Sequence, residues 1–228
     1  MISASDISKT FNAGKPNEFT AVRDVSVTID FHKVTILRGP SGSGKTTLLG
    51  LVGCMSRPTT GRIFLGEREI TSLPERFLTD IRRRTFGFIF QQFNLIRGLT
   101  VLDNVMIPAY PSSEPLSQIK KRALETLALF NLEHKATAKI EWLSGGEAQR
   151  TAIARALINN PSIIIADEPT AHLDTRLSNE FMSIMRQLKD DGKTIILSSH
   201  DPIVYDSDLA DSVVEMRDGS IVSSGQKR

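Results

Sequence analysis

The spacing of apolar positions changes along the chain between a period of two and a helical period, which predicts alternating strands and helices. In AVRDVSVTIDF, residues 21–31, apolar side chains from Val25 to Phe31 alternate with polar ones, as in a half-buried antiparallel strand. The apolar run KVTIL, residues 33–37, predicts a second strand, and TTLLGLVGCM, residues 46–55, predicts a helix.

The alternation of strands and helices continues in later parts of the chain. Each predicted element is an apolar or helically patterned segment, and the glycine, aspartate and serine residues on either side of it mark its limits. The predicted elements are strands at 83–91, 162–167 and 193–200, a helix at 175–191 closed by Gly192, and a C-terminal hairpin at 212–224 with Asp218 and Gly219 at its turn.

The middle of the chain, from about Gly98 to Trp142, has a different pattern. The segment SQIKKRALETLALFNL spaces its apolar residues as one face of a helix does, and the residues on that face are Ile119, Ala123, Leu127 and Phe130. We therefore expect a helical lobe inserted between the strands, packed through an ordinary amphipathic face.

Composition places the chain among globular proteins with one sizeable α/β core, since 40% of its 228 residues are hydrophobic and 24% are charged. The longest apolar runs are too short to span a bilayer, and the polar start MISASDISKTF has no signal-peptide pattern, so we expect a cytosolic chain. The formal charge of +2 gives no reason to expect a nucleic-acid partner. The single cysteine, Cys54, favours a buried apolar role over a reactive one.

The stretch LRGPSGSGKTT, residues 37–47, matches the phosphate-loop pattern G-x-x-x-x-G-K-[ST] between a predicted strand and a predicted helix. Glycines there allow successive backbone N–H groups to face phosphate oxygens, and the helix adds its N-terminal dipole. Lys45 is expected to hold the β- and γ-phosphates, and Thr46 to ligate Mg²⁺; a chance glycine-rich turn is the alternative. The predicted nucleotide-binding residues are Gly39, Pro40, Ser41, Gly42, Ser43, Gly44, Lys45, Thr46 and Thr47.

Two adjacent acids end the apolar strand in SIIIADEP. Because successive side chains at a strand end point in different directions, Asp167 can face a metal ion while Glu168 faces an attacking water. Without the phosphate loop, the same pair would be an ordinary solvated loop start.

The segment WLSGGEAQRTAIARAL, residues 142–157, predicts a second helix with exposed backbone donors and Ser144 as its cap. Together with the phosphate loop and the acidic pair, LSGGE is the identifying signature of ATP-binding cassette (ABC) proteins. The chain closely resembles that family over nearly its whole length.

The resemblance implies an α/β fold: a P-loop NTPase core, with a mixed sheet flanked by helices, an antiparallel β subdomain and the inserted helical lobe. It implies one ABC ATPase domain over 1–228. Within it, 1–97 and 143–228 would form the RecA-like core and the β subdomain, and about 98–142 the helical lobe.

The resemblance also implies a composite site in a head-to-tail, ATP-dependent dimer. Each nucleotide would lie between the phosphate loop of one copy and the LSGGE segment of the other. The residues that would reach the γ-phosphate across the interface are Ser144, Gly145, Gly146 and Glu147.

Further site residues follow from matches to family motifs. Phe11 would stack on adenine, although a core role is the alternative, and Gln91, or its neighbour Gln92, would sense Mg²⁺ and the attacking water. Asp174 would link the two sites of the dimer, and His200 would contact the γ-phosphate. The implied mechanism is dimer closure on ATP, in-line attack by water positioned by Glu168, and reopening after phosphate release.

The stretch GFIFQQFNLIRGLTVLDNVMIPAY resembles the ABC subfamily that powers lipoprotein release, macrolide export, antimicrobial-peptide resistance and haem export. The chain departs from the subfamily at Asp103, where glutamate is commoner, and at His172, where a small or amide residue is usual. Such a change at His172 is interpreted as a surface-loop substitution. The run Arg82–Arg84 is interpreted as a solvated face, with a membrane-surface contact as the alternative.

This resemblance implies an integral membrane permease as partner, with few transmembrane helices and a large extracytoplasmic domain. The chain would then be peripheral on the inner face of the cell membrane, and a coupling helix of the partner would dock near Gln91 to Val105. Two alternatives stay open: a motor of the same build that regulates an extracytoplasmic enzyme or a sensor, and a soluble cassette ATPase of DNA repair or the ribosome. The substrate and the direction of transport do not follow from the sequence.

Overall fold

Ten strands and seven helices form the structure, a computed structural model that describes residues 1–171 and 173–226. The strands are β1 Ile2–Phe11, β2 Phe19–Ile29, β3 Val34–Arg38, β4 Thr60–Leu65, β5 Arg68–Glu69, β6 Phe86–Ile89, β7 Ile163–Asp167, β8 Thr194–Ser199, β9 Ser212–Arg217 and β10 Ser220–Gln226. The helices are α1 Lys45–Val52, α2 Glu75–Thr85, α3 Val101–Met106, α4 Leu116–Leu129, α5 Gly145–Leu157, α6 Thr175–Asp190 and α7 Pro202–Tyr205.

A six-stranded mixed sheet in the order β10-β9-β3-β8-β7-β6 forms the centre of the molecule. Its strands run parallel except for the β9–β10 pair, which is the predicted hairpin. Asp218 and Gly219 both have positive φ, as the predicted two-residue turn requires. Since β3, β7 and β8 are parallel neighbours, the loops that follow them meet at one sheet edge, where α/β proteins bind ligands.

A four-stranded antiparallel sheet in the order β2-β1-β4-β5 lies beside the first sheet. Residues of both sheets and of α1 share one apolar cluster, which includes Ile7, Val25, Leu48 and Ile165. Helix α1, which follows the phosphate loop, is thereby fixed by packing against both sheets.

A second apolar cluster joins the six-stranded sheet to helices α3, α4, α5 and α6. Ile119, Ala123, Leu127 and Phe130 are all buried in this cluster, which confirms the predicted face of α4. Residues 101–142 consist of α3, α4 and three short 3₁₀ turns with their connections. The mixed sheet, the antiparallel sheet and the helices confirm the predicted fold class, whereas the limits of the lobe stay a prediction.

The segment before β6 differs from the sequence prediction. Residues 83–85 complete helix α2, and the strand predicted at 83–91 covers only Phe86–Ile89. Only Arg84 of the three arginines there is widely exposed, with a side chain 70% accessible, against 23% for each of the other two. The solvated-face interpretation therefore holds for Arg84, while its two neighbours lie half-buried against the protein.

Cys54 is buried, as predicted, and burial raises the pKa of its thiol to about 11. Of the helices in residues 1–171 and 173–226, none combines the length and the apolar character needed to cross a membrane. His172, where the sequence departs from the subfamily pattern, lies outside the described residues.

Candidate functional site

The phosphate loop joins β3 to α1, and its backbone can be built only with glycine at two positions. Gly39 and Gly44 have φ values of +152° and +100°. A Cβ atom at Gly39 would lie 2.2 Å from the carbonyl oxygen of Met216, and one at Gly44 would lie 2.5 Å from that of Ala21. The glycines of the motif thus allow the loop to pass close to the β2 and β9 backbones.

Lys45 begins helix α1 and is buried under the loop, with 5% of its surface exposed. Its Nζ donates hydrogen bonds to the carbonyl oxygens of Gly39 (2.7 Å) and Pro40 (3.1 Å). The same ammonium lies 3.1 Å from Oε1 of Glu168. The structure therefore brings together the predicted phosphate-binding lysine and the predicted base.

Thr46 and Asp167, two of the three predicted metal ligands, are in direct contact. The Thr46 hydroxyl donates to Asp167 Oδ1 at 3.0 Å, although the residues are 121 positions apart. Asp167 Oδ1 also accepts a hydrogen bond from the hydroxyl of Ser198 at 2.6 Å. Helix α1 and strands β7 and β8 each contribute one oxygen to this cluster.

Glu168 follows β7 in a left-handed backbone conformation, with φ of +45°, and is 8% exposed. Its backbone N–H donates to the carbonyl oxygen (3.1 Å) and the hydroxyl oxygen (2.9 Å) of Ser198. Its Oε2 lies 2.9 Å from Nδ1 of His200. Glu168 is thus held between Lys45 on one carboxylate oxygen and His200 on the other.

The oxygen donors at this edge fit Mg²⁺. Thr46, Asp167 and Gln91 offer a hydroxyl, a carboxylate and an amide oxygen, which are the hard ligands that Mg²⁺ prefers. Among the described residues, no group of three or more His, Cys, Asp and Glu side chains could hold a metal alone. Mg²⁺ commonly takes one or two carboxylates and completes its shell with substrate phosphates and water.

The Ser43 side chain also indicates that the loop can bind an anion. Its hydroxyl oxygen is buried and has no hydrogen-bond partner among the described residues. A buried hydroxyl without a partner is costly, and a phosphate oxygen would satisfy it.

The loop opens into a cleft of about 230 Å³. Its lining residues are Phe19, Ala21, Ser41, Gly42, Ser43, Gly44, Lys45, Thr46, Thr47, Gln91, Glu168 and His200. Gln91 lines this cleft and its neighbour Gln92 does not, so the geometry favours Gln91 of the two candidates. The aromatic residue in the lining is Phe19, which sequence reasoning missed, while Phe11 lies opposite Phe19 in the β1–β2 ladder.

The LSGGE segment forms the N-terminus of α5, away from the cleft lining of its own chain. The Ser144 hydroxyl accepts from the Glu147 N–H (3.3 Å), and the Ser144 N–H donates to Glu147 Oε2 (2.8 Å). That backbone hydrogen bond is the main cause of a lowered pKa for the Glu147 carboxyl. The predicted serine cap is confirmed, and Gly145 stays exposed beside it.

Asp174, the predicted link between two sites, caps helix α6 by accepting a hydrogen bond from the Leu177 N–H at 2.8 Å. It lies outside the cleft lining of its own chain. The structure thus brings the phosphate loop, the acidic pair, Gln91 and His200 together, and leaves the LSGGE segment and Asp174 on other surfaces.

Arg155 is a residue that sequence reasoning missed, and it ties α5 to the segment that follows Gln91. Its guanidinium donates to the carbonyl oxygens of Asn94 and Phe93, each at 2.5 Å, and lies 6.0 Å from the centre of the Phe90 ring. The only hint in the sequence is an arginine on the otherwise apolar face of a helix.

An apolar groove of about 270 Å³ lies next to this contact. Its lining residues are Met55, Thr79, Arg82, Arg83, Phe86, Gly87, Phe88, Phe90, Pro108, Arg155, Ala156 and Asn159. The groove lies beside β6, and none of residues 91–105 is in its lining. The docking site expected near Gln91 to Val105 stays a prediction.

The family model, the similar sequences and the similar structures all indicate the same protein family. Residues 22–171 match the family model described as ABC transporter. The chain is 39% identical over 222 residues to the uncharacterized ABC transporter ATP-binding protein YvrO of Bacillus subtilis, which covers 97% of this chain and 96% of that protein. It is 40% identical over 229 residues to the macrolide export ATP-binding/permease protein MacB of Hyphomonas neptunium, but spans only 35% of that protein's length.

Among solved structures, the chain is similar to the dimeric ABC transporter cassette MJ0796 from Methanocaldococcus jannaschii, with a TM-score of 0.90 and 38% identity. The match covers 100% of this chain and 99% of that one. A structure of the same cassette in a post-hydrolysis state, bound to ADP and Pi, matches equally well.

Proposed function

We propose, from the premise that this chain belongs to the ABC transporter family and is one of its ATP-hydrolysing subunits, that two copies close head to tail around ATP and thereby drive a membrane partner. The observation that carries the proposal is the convergence of Lys45, Thr46, Asp167, Glu168 and His200 at one sheet edge.

The phosphate loop is the binding site for the triphosphate. Its backbone N–H groups, the Lys45 ammonium and the unpartnered Ser43 hydroxyl supply the donors. Mg²⁺, held by Thr46, Asp167 and Gln91, would neutralise negative charge on the phosphates when it is bound. Phe11 stacks on the adenine, and Phe19, which lines the cleft, is available beside it.

Glu168 is the group that accepts a proton from the attacking water. Its two carboxylate oxygens are engaged by Lys45 and His200. When the triphosphate binds the Lys45 ammonium, Glu168 Oε1 loses its contact with Lys45 and becomes free. His200 continues to orient the carboxylate through Oε2. The chain then acts mainly by positioning the water and by stabilising the charge that develops on the phosphoryl group.

The second copy supplies the LSGGE segment. The N-terminus of α5 places the exposed residues Ser144 and Gly145, with the backbone donors of the first turn, on a surface distinct from the chain's own cleft. A γ-phosphate bound to the partner copy suits those donors and the helix dipole. Asp174, at the N-terminus of α6, links the two sites across the same interface.

The membrane partner is an integral permease with a large extracytoplasmic domain, and the chain is peripheral on the inner face of the membrane. The apolar groove along β6 fits an amphipathic helix of that permease. Arg155 lines this groove and also binds the loop after Gln91. A helix bound in the groove would therefore contact a residue that is connected to both α5 and the Gln91 loop. Export or extraction of a substrate is the direction that the MacB relative's name suggests.

The test is to tag the chain, purify it from gently solubilised membranes of its native cell, and identify bound proteins by mass spectrometry. Recovery of a membrane protein with a large extracytoplasmic domain supports the proposal, and recovery of only ribosomal or DNA-repair proteins contradicts it. Met55→Glu, in the groove, should lose the partner and keep ATP binding. Leu129→Glu, at an exposed apolar position outside the groove, is the matched control and should retain the partner.

A further inference from the structure

We infer that Ser198 is a positioning residue for both reactive carboxyl groups, an inference that rests on the roles proposed above for Asp167 and Glu168. Ser198 lies in β8, directly opposite Asp167 in the parallel β7–β8 pairing. It is fully buried, and its side chain contacts both acidic residues. One hydroxyl group therefore joins the proposed metal ligand to the proposed base.

The direction of each hydrogen bond at Ser198 is fixed by chemistry. A serine hydroxyl has one proton to donate and lone pairs that accept. The Glu168 N–H can only donate, at 2.9 Å, so the Ser198 proton is free for Asp167 Oδ1, at 2.6 Å. The contact with Asp167 is a charge-assisted hydrogen bond, the stronger kind.

The contact orients the Asp167 carboxylate. Oδ1 accepts from both Thr46 and Ser198, which come from two different elements and so define the plane of the carboxylate. The other oxygen of Asp167 is thereby left to face a metal ion. Without the Ser198 hydroxyl, the remaining side-chain donor to Asp167 among the described residues would be Thr46, itself a proposed metal ligand.

The contact with Glu168 holds an unusual backbone conformation. Glutamate rarely adopts a positive φ, and the value of +45° here turns the side chain back toward Lys45 and His200. The N–H of Glu168 is anchored by the Ser198 carbonyl oxygen and, at the shorter distance, by its hydroxyl. Loss of the hydroxyl removes one of the two acceptors that fix this turn.

A purely structural role would not require serine at this position. Ser198 follows the apolar residues Ile195, Ile196 and Leu197 in the core strand, where an aliphatic side chain packs without the cost of burying a hydroxyl. Thr194, at the other end of β8, is similarly buried, and its hydroxyl accepts a hydrogen bond from the His32 N–H at 2.8 Å. Thr194 thus offers a control hydroxyl on the same strand that touches neither acid.

The experiment compares Ser198→Thr with Ser198→Val, two variants of the same shape that differ in the hydroxyl. The Kd for ATP is measured with Mg²⁺ and in EDTA, together with kcat. We expect equal Kd values in EDTA. With Mg²⁺, Ser198→Val should bind ATP roughly 10-fold more weakly than Ser198→Thr and turn over roughly 10-fold more slowly. Both effects follow from the loss of one charge-assisted hydrogen bond.

Ser198→Ala and Thr194→Val complete the set. Ser198→Ala should show the same weakened ATP binding in Mg²⁺ as Ser198→Val. Thr194→Val should lower Tm, while the Mg²⁺ dependence of its ATP binding and its kcat should equal those of the wild type. Equal Mg²⁺ dependence and kcat in Ser198→Thr and Ser198→Val would overturn the inference. Failure of the wild-type chain to bind ATP in a Mg²⁺-dependent manner would instead overturn the proposed function, so the two failures are distinguishable.

Discussion

Lys45 Nζ and Glu168 Oε1 lie 3.1 Å apart, in a pair of side chains that are each at least nine-tenths buried. A buried charge without a partner is costly, and each of these residues serves as the other's counter-ion. Under the proposed function, a triphosphate that binds the phosphate loop would take the place of Glu168 beside the ammonium. Nucleotide binding and release of the proposed base would then be one event.

Lys45→Ala should weaken ATP binding roughly 10- to 100-fold, because the variant loses a charge-assisted contact to phosphate. Titration with a fluorescent ATP analogue measures this change. Lys33→Ala, which removes a partly exposed lysine paired with Asp30, is the control and should bind as the wild type does. Undiminished nucleotide affinity in Lys45→Ala would contradict the assignment of the phosphate loop.

His200→Ala should lower kcat by about 10-fold or more and change the Kd for ATP by less, because His200 contacts Glu168 whereas the phosphate loop remains intact. Steady-state hydrolysis and equilibrium binding separate the two quantities. His134→Ala, at an exposed position in a 3₁₀ turn, is the control. A variant with normal kcat and greatly weakened binding would show that His200 acts on the nucleotide alone.

Gly145→Asp should leave the monomer as stable as the wild type and abolish the ATP-dependent dimer. A side chain at Gly145 would project into open space and clash with none of the described residues. A negative charge in the first turn also interacts favourably with the helix dipole. In the dimer, the same carboxylate would repel the γ-phosphate of the partner copy. Tm and light scattering with ATP give the two readouts, and Gly225→Asp, also in open space, is the control. An intact ATP-dependent dimer in Gly145→Asp speaks against the composite site.

We expect Cys54 to lower the stability of the chain at alkaline pH. Burial raises the pKa of its thiol to about 11, above the value of about 8.5 for an unfolded thiol. The unfolded chain therefore loses this proton first, so the contribution of Cys54 to stability is intact below about pH 8.5 and is lost as pH rises toward 11. Relative to Cys54→Ala, the wild type should lose roughly 1–2 kcal/mol of unfolding free energy between pH 7.5 and pH 10 in urea titrations. A constant difference between the two proteins would contradict the buried, protonated thiol.

The parts of the fold that follow from sequence are those in which local pattern and packing agree. The strand–glycine loop–helix unit around Lys45 could be predicted because an apolar strand, a loop motif and a helix follow each other within a few residues. Strand β1 was missed because its buried residues, Ile2, Ala4 and Ile7, are not evenly spaced. The pairing shifts register between Ala4 and Ile7, where Asp6 has a positive φ, and this bulge turns Ile7 to the buried face.

The parts of the site that could not be predicted depend on contacts between distant segments. The family motif points to Glu168 and Lys45 separately, but their ion pair requires the β3–β8–β7 order of the sheet. Ser198 and Arg155 carry no motif signal of their own in one sequence. Each becomes recognisable only when strand pairing or helix packing brings it to its acceptors.

The substitution Glu168→Gln tests whether Glu168 is the base and whether two copies close around ATP. The amide keeps the size of the side chain but cannot take a proton from water, and removal of the charge leaves Lys45 free for the triphosphate. The measurement is the mass of the variant in solution by light scattering, with ATP and Mg²⁺, alongside its rate of hydrolysis.

We expect a stable dimer with bound ATP and no turnover for Glu168→Gln, and a monomer when ADP replaces ATP. Normal steady-state hydrolysis, or a variant that stays monomeric while it binds ATP, would rule out the proposed mechanism.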